Sequence, residues 1–160
     1  MKTIYIVRHA KAEPGTPGMR DFDRPLSPTG QQEAAQMAAL LRARGVAPEL
    51  LVSSPANRAH ATALFFAKAF DIPAQELALR AEIYDAGRSA LLEVVGSLPE
   101  PVQTACLFGH NPGLSDLAYY LGPDLMESLP TCGVVQIDSS AARWMDVEPA
   151  NCKLAGHWNP

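Results

Sequence analysis

The chain has 160 residues, 48% hydrophobic and 19% charged, which fits one domain with a full-sized core and excludes a disordered, collagenous or fibrous protein. Its formal net charge of −4, with no run of Lys or Arg, supplies no basic field for nucleic acid, so any bound anion must be held by a local cluster of positive groups. No stretch is long enough to span a bilayer, and the apolar run before Arg8 is too short for a signal peptide.

Taken in chain order, the β-branched run Thr3 to Val7 predicts a central strand. Ala10 to Pro28 is rich in Pro and Gly and reads as a long loop, a length that in a small domain points to function. Ser27 as N-cap and Pro28 at the first helical position start a helix that runs through Ala34, Met37, Ala38 and Leu41 and stops at Gly45. Leu50 to Ser53 is the second strand. Ser54-Pro55 repeats the start signal, and Ala56 to Ala69 forms the second helix, closed by Asp71-Ile72-Pro73. Gln75 to Leu79 reads as a third strand and Ser89 to Val95 as a third helix ending at Gly96. Thr104 to Phe108 is a strand and Gly113 to Leu121 a helix. Val134 to Asp138 and Arg143 to Val147 are expected as a closing hairpin around Ser139 to Ala142, while Glu148 to Pro160 carries little periodic signal. Strands alternating with helices predict an α/β domain over residues 1–160. It would be a three-layer α/β/α sandwich whose mostly parallel sheet ends in an antiparallel edge.

Cys106, Cys132 and Cys152 are odd in number and scattered, which fits reduced thiols in a cytoplasmic protein better than a disulfide framework or a zinc site. Neither a metal nor another cofactor is expected. The histidines, His9, His60, His110 and His157, show no ligand spacing with carboxylates or thiols.

The polar residues carry the chemistry. Arg8-His9 follows the first strand, Arg58 lies in the first turn of the helix after the second, and Gly109-His110-Asn111 follows the strand ending at Phe108. A parallel sheet gathers its carboxyl ends on one rim, so residues far apart in sequence would meet there. Singly, each has a plain structural explanation: a capping pair, an exposed charge, a turn residue. Together, arginine forks matched to phosphate oxygens, a helix N-terminus and an imidazole nucleophile make a site for phosphoryl transfer.

Ile6-Val7-Arg8-His9-Ala10 resembles the signature strand and loop of the histidine phosphatase superfamily, which usually reads Arg-His-Gly. Ser53-Ser54-Pro55-Ala56-Asn57-Arg58 is similar to its second block and Phe108-Gly109-His110-Asn111-Pro112-Gly113 to its third. Arg24-Pro25-Leu26-Ser27-Pro28-Thr29-Gly30 and Ala10 look most like the small SixA-type phosphohistidine phosphatases. The resemblance implies a phosphoglycerate-mutase-like fold, with His9 as nucleophile and Arg8, Arg58 and His110 around the phosphoryl group. It also offers Asn111 and Arg24 as further substrate contacts. For Arg24 a salt bridge to Asp21 or Asp23 stands beside that reading.

Larger members of the superfamily have a carboxylate that protonates a departing alcohol. Glu82 is the candidate here, with a solvated loop acid as the alternative. Imidazole, with a reference pKa of about 6.5, is a far better leaving group than an alcohol and asks less of an acid. The expected substrate is therefore phosphohistidine on a protein, of the histidine phosphotransfer type. A small phosphate ester is the alternative within the family. A phosphoglycerate mutase, wanting a longer chain and a clear acid, and a noncatalytic phosphate-binding module are the remaining readings.

Overall fold

The computed structural model describes residues 1–125 and 127–160. The N-terminal apolar run forms β1 (Lys2–Arg8), whose alternation buries Ile4 and Ile6 on one face of the sheet and Tyr5 and Val7 on the other. A strand apolar on both faces has to lie inside a sheet covered on both sides. It does: the six-stranded sheet has the order β3-β2-β4-β1-β5-β6, with β2 (Leu50–Ser53), β3 (Ala78–Leu79) and β4 (Thr104–Gly109) running parallel to β1. β5 (Val134–Ser139) and β6 (Cys152–Trp158) close the other side antiparallel.

Helices α1 (Pro28–Ala43) and α2 (Asn57–Ala69) cover the Tyr5/Val7 face through Met37, Leu41, Ala63 and Phe66. Helices α3 (Arg88–Gly96) and α4 (Gly113–Leu121) cover the Ile4/Ile6 face through Leu91, Val94, Leu114 and Leu117. The result is the α/β sandwich expected from the sequence. The α1 start signal works as written: the Ser27 hydroxyl accepts the Gly30 amide at 3.0 Å, with Pro28 in the first position. At the far end Gly45 takes a φ of +84°, which glycine adopts without strain. Gly30 is needed for a different reason. A β-carbon there would overlap the carbonyl oxygen of Lys11, which also accepts the Ser27 amide at 2.9 Å.

The register sets the functional rim. Arg8 pairs with Gly109 across β1 and β4, and Ser53 pairs with Phe108 across β2 and β4. The backbone continues that alignment, the His9 amide reaching Gly109 O at 3.1 Å and the Ser54 amide reaching Phe108 O at 3.0 Å.

Three elements depart from the sequence reading. Arg143 to Val147 is not a strand: Trp144–Asp146 is a 3-10 turn, closed by an Arg143–Asp146 ion pair at 2.8 Å. Trp144 is drawn into the core, its indole N–H donating to Val102 O at 2.8 Å beneath the Lys2 ammonium. The last strand is instead Cys152–Trp158, in the segment that carried no signal. This edge strand alternates half-buried and exposed positions. Ala155 and Gly156 sit at its centre and mute the contrast that would have revealed it. The third strand is also shorter than Gln75 to Leu79. Ala74–Glu76 is a 3-10 turn with Gln75 and Glu76 in solvent, and only Ala78–Leu79 pairs with β2.

Candidate active site

At the carboxyl end of β1 the chain is fixed before any side chain acts. Cys132, in the left-handed region at φ +58°, directs its amide at the carbonyls of both Arg8 (3.1 Å) and His9 (3.0 Å). Such a conformation is costly for a residue with a β-carbon and persists only where the surroundings hold it. Here it locks the Arg8-His9 peptide onto β5.

The His9 imidazole is buried, and its Nδ1 lies 2.7 Å from Ala10 O. A carbonyl can only accept, so Nδ1 carries the proton and Nε2 keeps its lone pair. Burial drives the His9 pKa down to about 4, and the positive charges of Arg58, Arg8 and Arg24 push the same way, against the Ala10 hydrogen bond. The ring is therefore neutral near pH 7, with a bare nitrogen facing an arginine-rich environment.

His110 follows β4, its ring centroid 5.4 Å from that of His9. Its Nε2 lies 2.8 Å from the Ser54 hydroxyl, which also accepts the Ala56 amide at 3.2 Å. The contact accommodates either direction: a hydroxyl that donates to Nε2 puts the ring proton on Nδ1, where it faces an anion as a donor, and Nε2–H donating to the hydroxyl is the other arrangement. Burial, followed by the charge of Arg58, lowers the His110 pKa to about 3.

The two arginines are held from the side. Arg8 Nη1 donates to Leu129 O at 3.1 Å. Arg58, buried in the first turn of α2, gives Nη1 to Asp21 O at 2.8 Å and pairs Nη2 with Asp21 Oδ2 at 3.0 Å. Among the described residues, the buried side-chain nitrogens left without a partner are Arg8 Nε, Arg58 Nε and His110 Nδ1. Leaving such groups unpaired is unfavourable by about 1–3 kcal/mol each. That all of them belong to one cluster matches a site that takes up an anion with several oxygens.

Arg24 sits at the rim, with Nε to Glu13 O at 2.9 Å and Nη1 to Asp21 Oδ1 at 3.1 Å, while Asp23 is taken by Arg20 at 2.8 Å. Of the two salt bridges weighed for Arg24, the structure has the one to Asp21. Asn111 is committed to structure: its amide nitrogen reaches Leu129 O at 2.8 Å and its oxygen accepts from the Ser115 hydroxyl at 2.7 Å. It thereby fixes the carbonyl that anchors Arg8, and its amide is not turned to a ligand. Glu82 lies in solvent, paired with Arg80 at 2.7 Å, a contact that lowers its carboxyl pKa and keeps it ionised.

Residues that the sequence reading left without a role complete the site. Thr62, fully buried on α2, receives the Ala10 amide at 3.0 Å and donates to Arg58 O at 2.8 Å. Asp21 collects Arg24, Arg58 and the Tyr84 hydroxyl, which donates to Oδ2 at 2.8 Å. Its pKa falls to about 2, mainly through Tyr84 and then the two arginines. Tyr84 stands edge-on to His110, ring centroids 5.5 Å apart, and edge-on to Phe22 at 5.2 Å. Ser54 and Thr62 follow one another around Arg58 in the sequence block, and that proximity was the available signal. Asp21 and Tyr84 come from separate loops and had none.

The family model of the histidine phosphatase superfamily, branch 1, matches residues 4–87. An uncharacterized protein of Mycobacterium tuberculosis is 33% identical over 165 residues, covering 96% of this chain and 99% of its own. Among solved structures, a chain of Agrobacterium tumefaciens assigned as the phosphohistidine phosphatase SixA superposes with a TM-score of 0.83 at 32% identity. That match covers 99% of this chain and 98% of the other. The protein histidine phosphatase SixA solved with tungstate shares the fold, with a TM-score of 0.79 at 21% identity over 99% of this chain and 97% of its own.

Proposed function

Because the chain belongs to the histidine phosphatase superfamily and is thereby a phosphatase, we propose that it hydrolyses phosphohistidine borne on a protein, with His9 as the transient phosphoryl carrier. The observation that carries this reading is the state of His9: Nδ1 holds its proton against Ala10 O, and Nε2 is bare and neutral. Nε2 attacks phosphorus while donors of Arg8, Arg58 and His110 take the phosphoryl oxygens. The P–N bond to the substrate breaks, and its electron pair returns to the substrate ring. Phosphorylated His9 still carries Nδ1–H, so it is an imidazolium and leaves readily. Water then attacks phosphorus, the pair of the second P–N bond returns to Nε2, and a water proton goes out with phosphate.

The choice of phosphohistidine over an ester is supported by the carboxylates. An alcohol leaves badly without a proton, and the candidate acid Glu82 and the rim carboxylate Asp21 are both held ionised by ion pairs or hydrogen bonds. A leaving imidazole makes no such demand. The relative solved with tungstate, an oxyanion, is consistent with phosphoryl-like ligands in this fold.

The test is to incubate the protein with a phosphohistidine-bearing phosphocarrier protein and, in parallel, with phosphoserine and an aryl phosphate. Wild type and His9→Ala are compared for phosphate release. Selective loss of phosphohistidine, abolished in the variant, and an acid-labile phosphoryl-enzyme in rapid quench are expected. Turnover of esters in preference to phosphohistidine overturns the substrate. Full activity in His9→Ala overturns the nucleophile, and no release from any of the compounds turns the reading toward a binding module.

A further inference from the structure

Resting on the phosphohistidine reading, we propose that Asp21 is the specificity-determining residue of this site, a fixed carboxylate that accepts the N–H of the departing imidazole ring. The chemistry of the leaving group sets the requirement. A histidine phosphorylated on one nitrogen departs as neutral imidazole only if its other nitrogen carries a proton. Without that proton it would have to leave as the imidazolate anion. The enzyme meets the same requirement for its own phosphorylated His9 by placing Ala10 O against Nδ1–H at 2.7 Å. The substrate ring needs an equivalent acceptor outside the pocket.

Asp21 has the position and the unused capacity. Its side chain is 52% exposed, while Arg58, which it pairs at 3.0 Å, is 8% exposed, so the carboxylate stands between the buried arginine and solvent. Oδ2 is filled by Arg58 and the Tyr84 hydroxyl, whereas Oδ1 receives Arg24 alone among the described residues. A carboxylate oxygen accepts more than one hydrogen bond, so Oδ1 remains open to a further donor. Tyr84, edge-on to both Phe22 and His110, gives that mouth an aromatic wall suited to a flat ring.

The charge then discriminates between substrates. During transfer from a protonated phosphoimidazole, the bond pair neutralises the positive ring, the proton stays on the far nitrogen, and the hydrogen bond to Asp21 is kept throughout. During transfer from an ester the leaving oxygen becomes negative beside a carboxylate that has no proton to give. One residue favours the first leaving group and opposes the second.

The test measures kcat/KM for phosphoimidazole and for an aryl phosphate in wild type, Asp21→Asn and Tyr84→Phe. Asn keeps the size and an acceptor oxygen but removes the charge. The expected result is a fall of about 10- to 100-fold in the phosphoimidazole-to-aryl-phosphate ratio for Asp21→Asn, the scale of one hydrogen bond to a charged group. Tyr84→Phe, which frees one anchor of the carboxylate, should move the ratio the same way by less. If Asp21 merely steadies Arg58, both substrates slow together and the ratio holds, which overturns the proposal; an unchanged ratio with unchanged rates does the same. Should Asp21→Asn fail to fold, an unaltered ratio in Tyr84→Phe overturns it. If wild type ignores phosphoimidazole, the phosphohistidine-bearing phosphocarrier protein takes its place in the ratio, and wild type that ignores both sinks the parent reading before any variant is compared.

Discussion

Thr62 offers the sharpest separation of stability from chemistry. Its hydroxyl is fully buried, accepts the Ala10 amide at 3.0 Å and donates to Arg58 O at 2.8 Å, while the Ala10 carbonyl holds the His9 Nδ1 proton at 2.7 Å. Thr62→Val keeps the shape and removes the hydroxyl, leaving the Ala10 amide unpaired at a cost of about 1–3 kcal/mol. At a urea m-value of roughly 1–3 kcal/mol/M that is a drop of about 1 M in the unfolding midpoint. The Ala10 peptide, no longer tied to α2, loosens its carbonyl from Nδ1. Part of His9 then adopts the tautomer with its proton on Nε2, which cannot attack. Loss of one hydrogen bond's worth of tautomer preference, about 1 kcal/mol, changes the tautomer ratio about fivefold and lowers the reactive fraction, and with it kcat, by up to about fivefold. Thr62→Ser deletes a buried methyl, at about 1 kcal/mol, but keeps the hydroxyl. Both variants should therefore lose stability in urea denaturation, and only Thr62→Val should lose kcat. Equal kcat losses in the two, or wild-type kcat in Thr62→Val, would refute the link from α2 through Ala10 to the histidine tautomer.

Stability should also depend on pH through the two histidines. Their folded pKa values, near 4 for His9 and near 3 for His110, lie below the unfolded value of about 6.5. On acidification the unfolded chain thus binds protons first. The stability they lend is fully present above pH 6.5 and is lost as pH falls toward the folded values. For His9 alone the loss between pH 7 and pH 5 is about 2 kcal/mol. The gap between urea midpoints at the two pH values should shrink by about half in His9→Gln, His110 keeping its own share, and an unaltered pH dependence there would contradict the buried neutral state. Asp21 does not interfere in this window, since its depressed carboxyl pKa removes stability only below about pH 4. At Gly30 a methyl group meets the Lys11 carbonyl, a backbone atom that cannot swing aside. Gly30→Ala should then cost on the order of 3 kcal/mol or prevent folding, and a thermal midpoint equal to wild type would show that α1 moves freely.

Much of the molecule is set by local patterning. Alternation in β1 and the two-sided burial of its residues dictate a covered parallel sheet. Ser27-Pro28 and Gly45 bound α1, and strand carboxyl ends carry Arg8-His9, Arg58 and His110 to one rim. These features were legible because each depends on residues within a few positions of one another. What stayed hidden lacked local contrast or depended on contacts between distant segments. β6 alternates too weakly around Ala155 and Gly156 to announce itself, and Trp144, read as part of a strand, is claimed by Val102 and Lys2. Asn111 was in the right motif, but its donors are spent on Leu129, a choice made by a loop about eighteen residues away. Asp21 and Tyr84 lie far apart in sequence and meet only because the loop after β1 folds over the start of α2. Residue types and strand order were enough to announce phosphoryl chemistry. The tautomer of His9, the pinning of both arginines and the carboxylate at the mouth are hydrogen bonds across the chain. They come into being only when burial brings those groups together and leaves them no water to satisfy them.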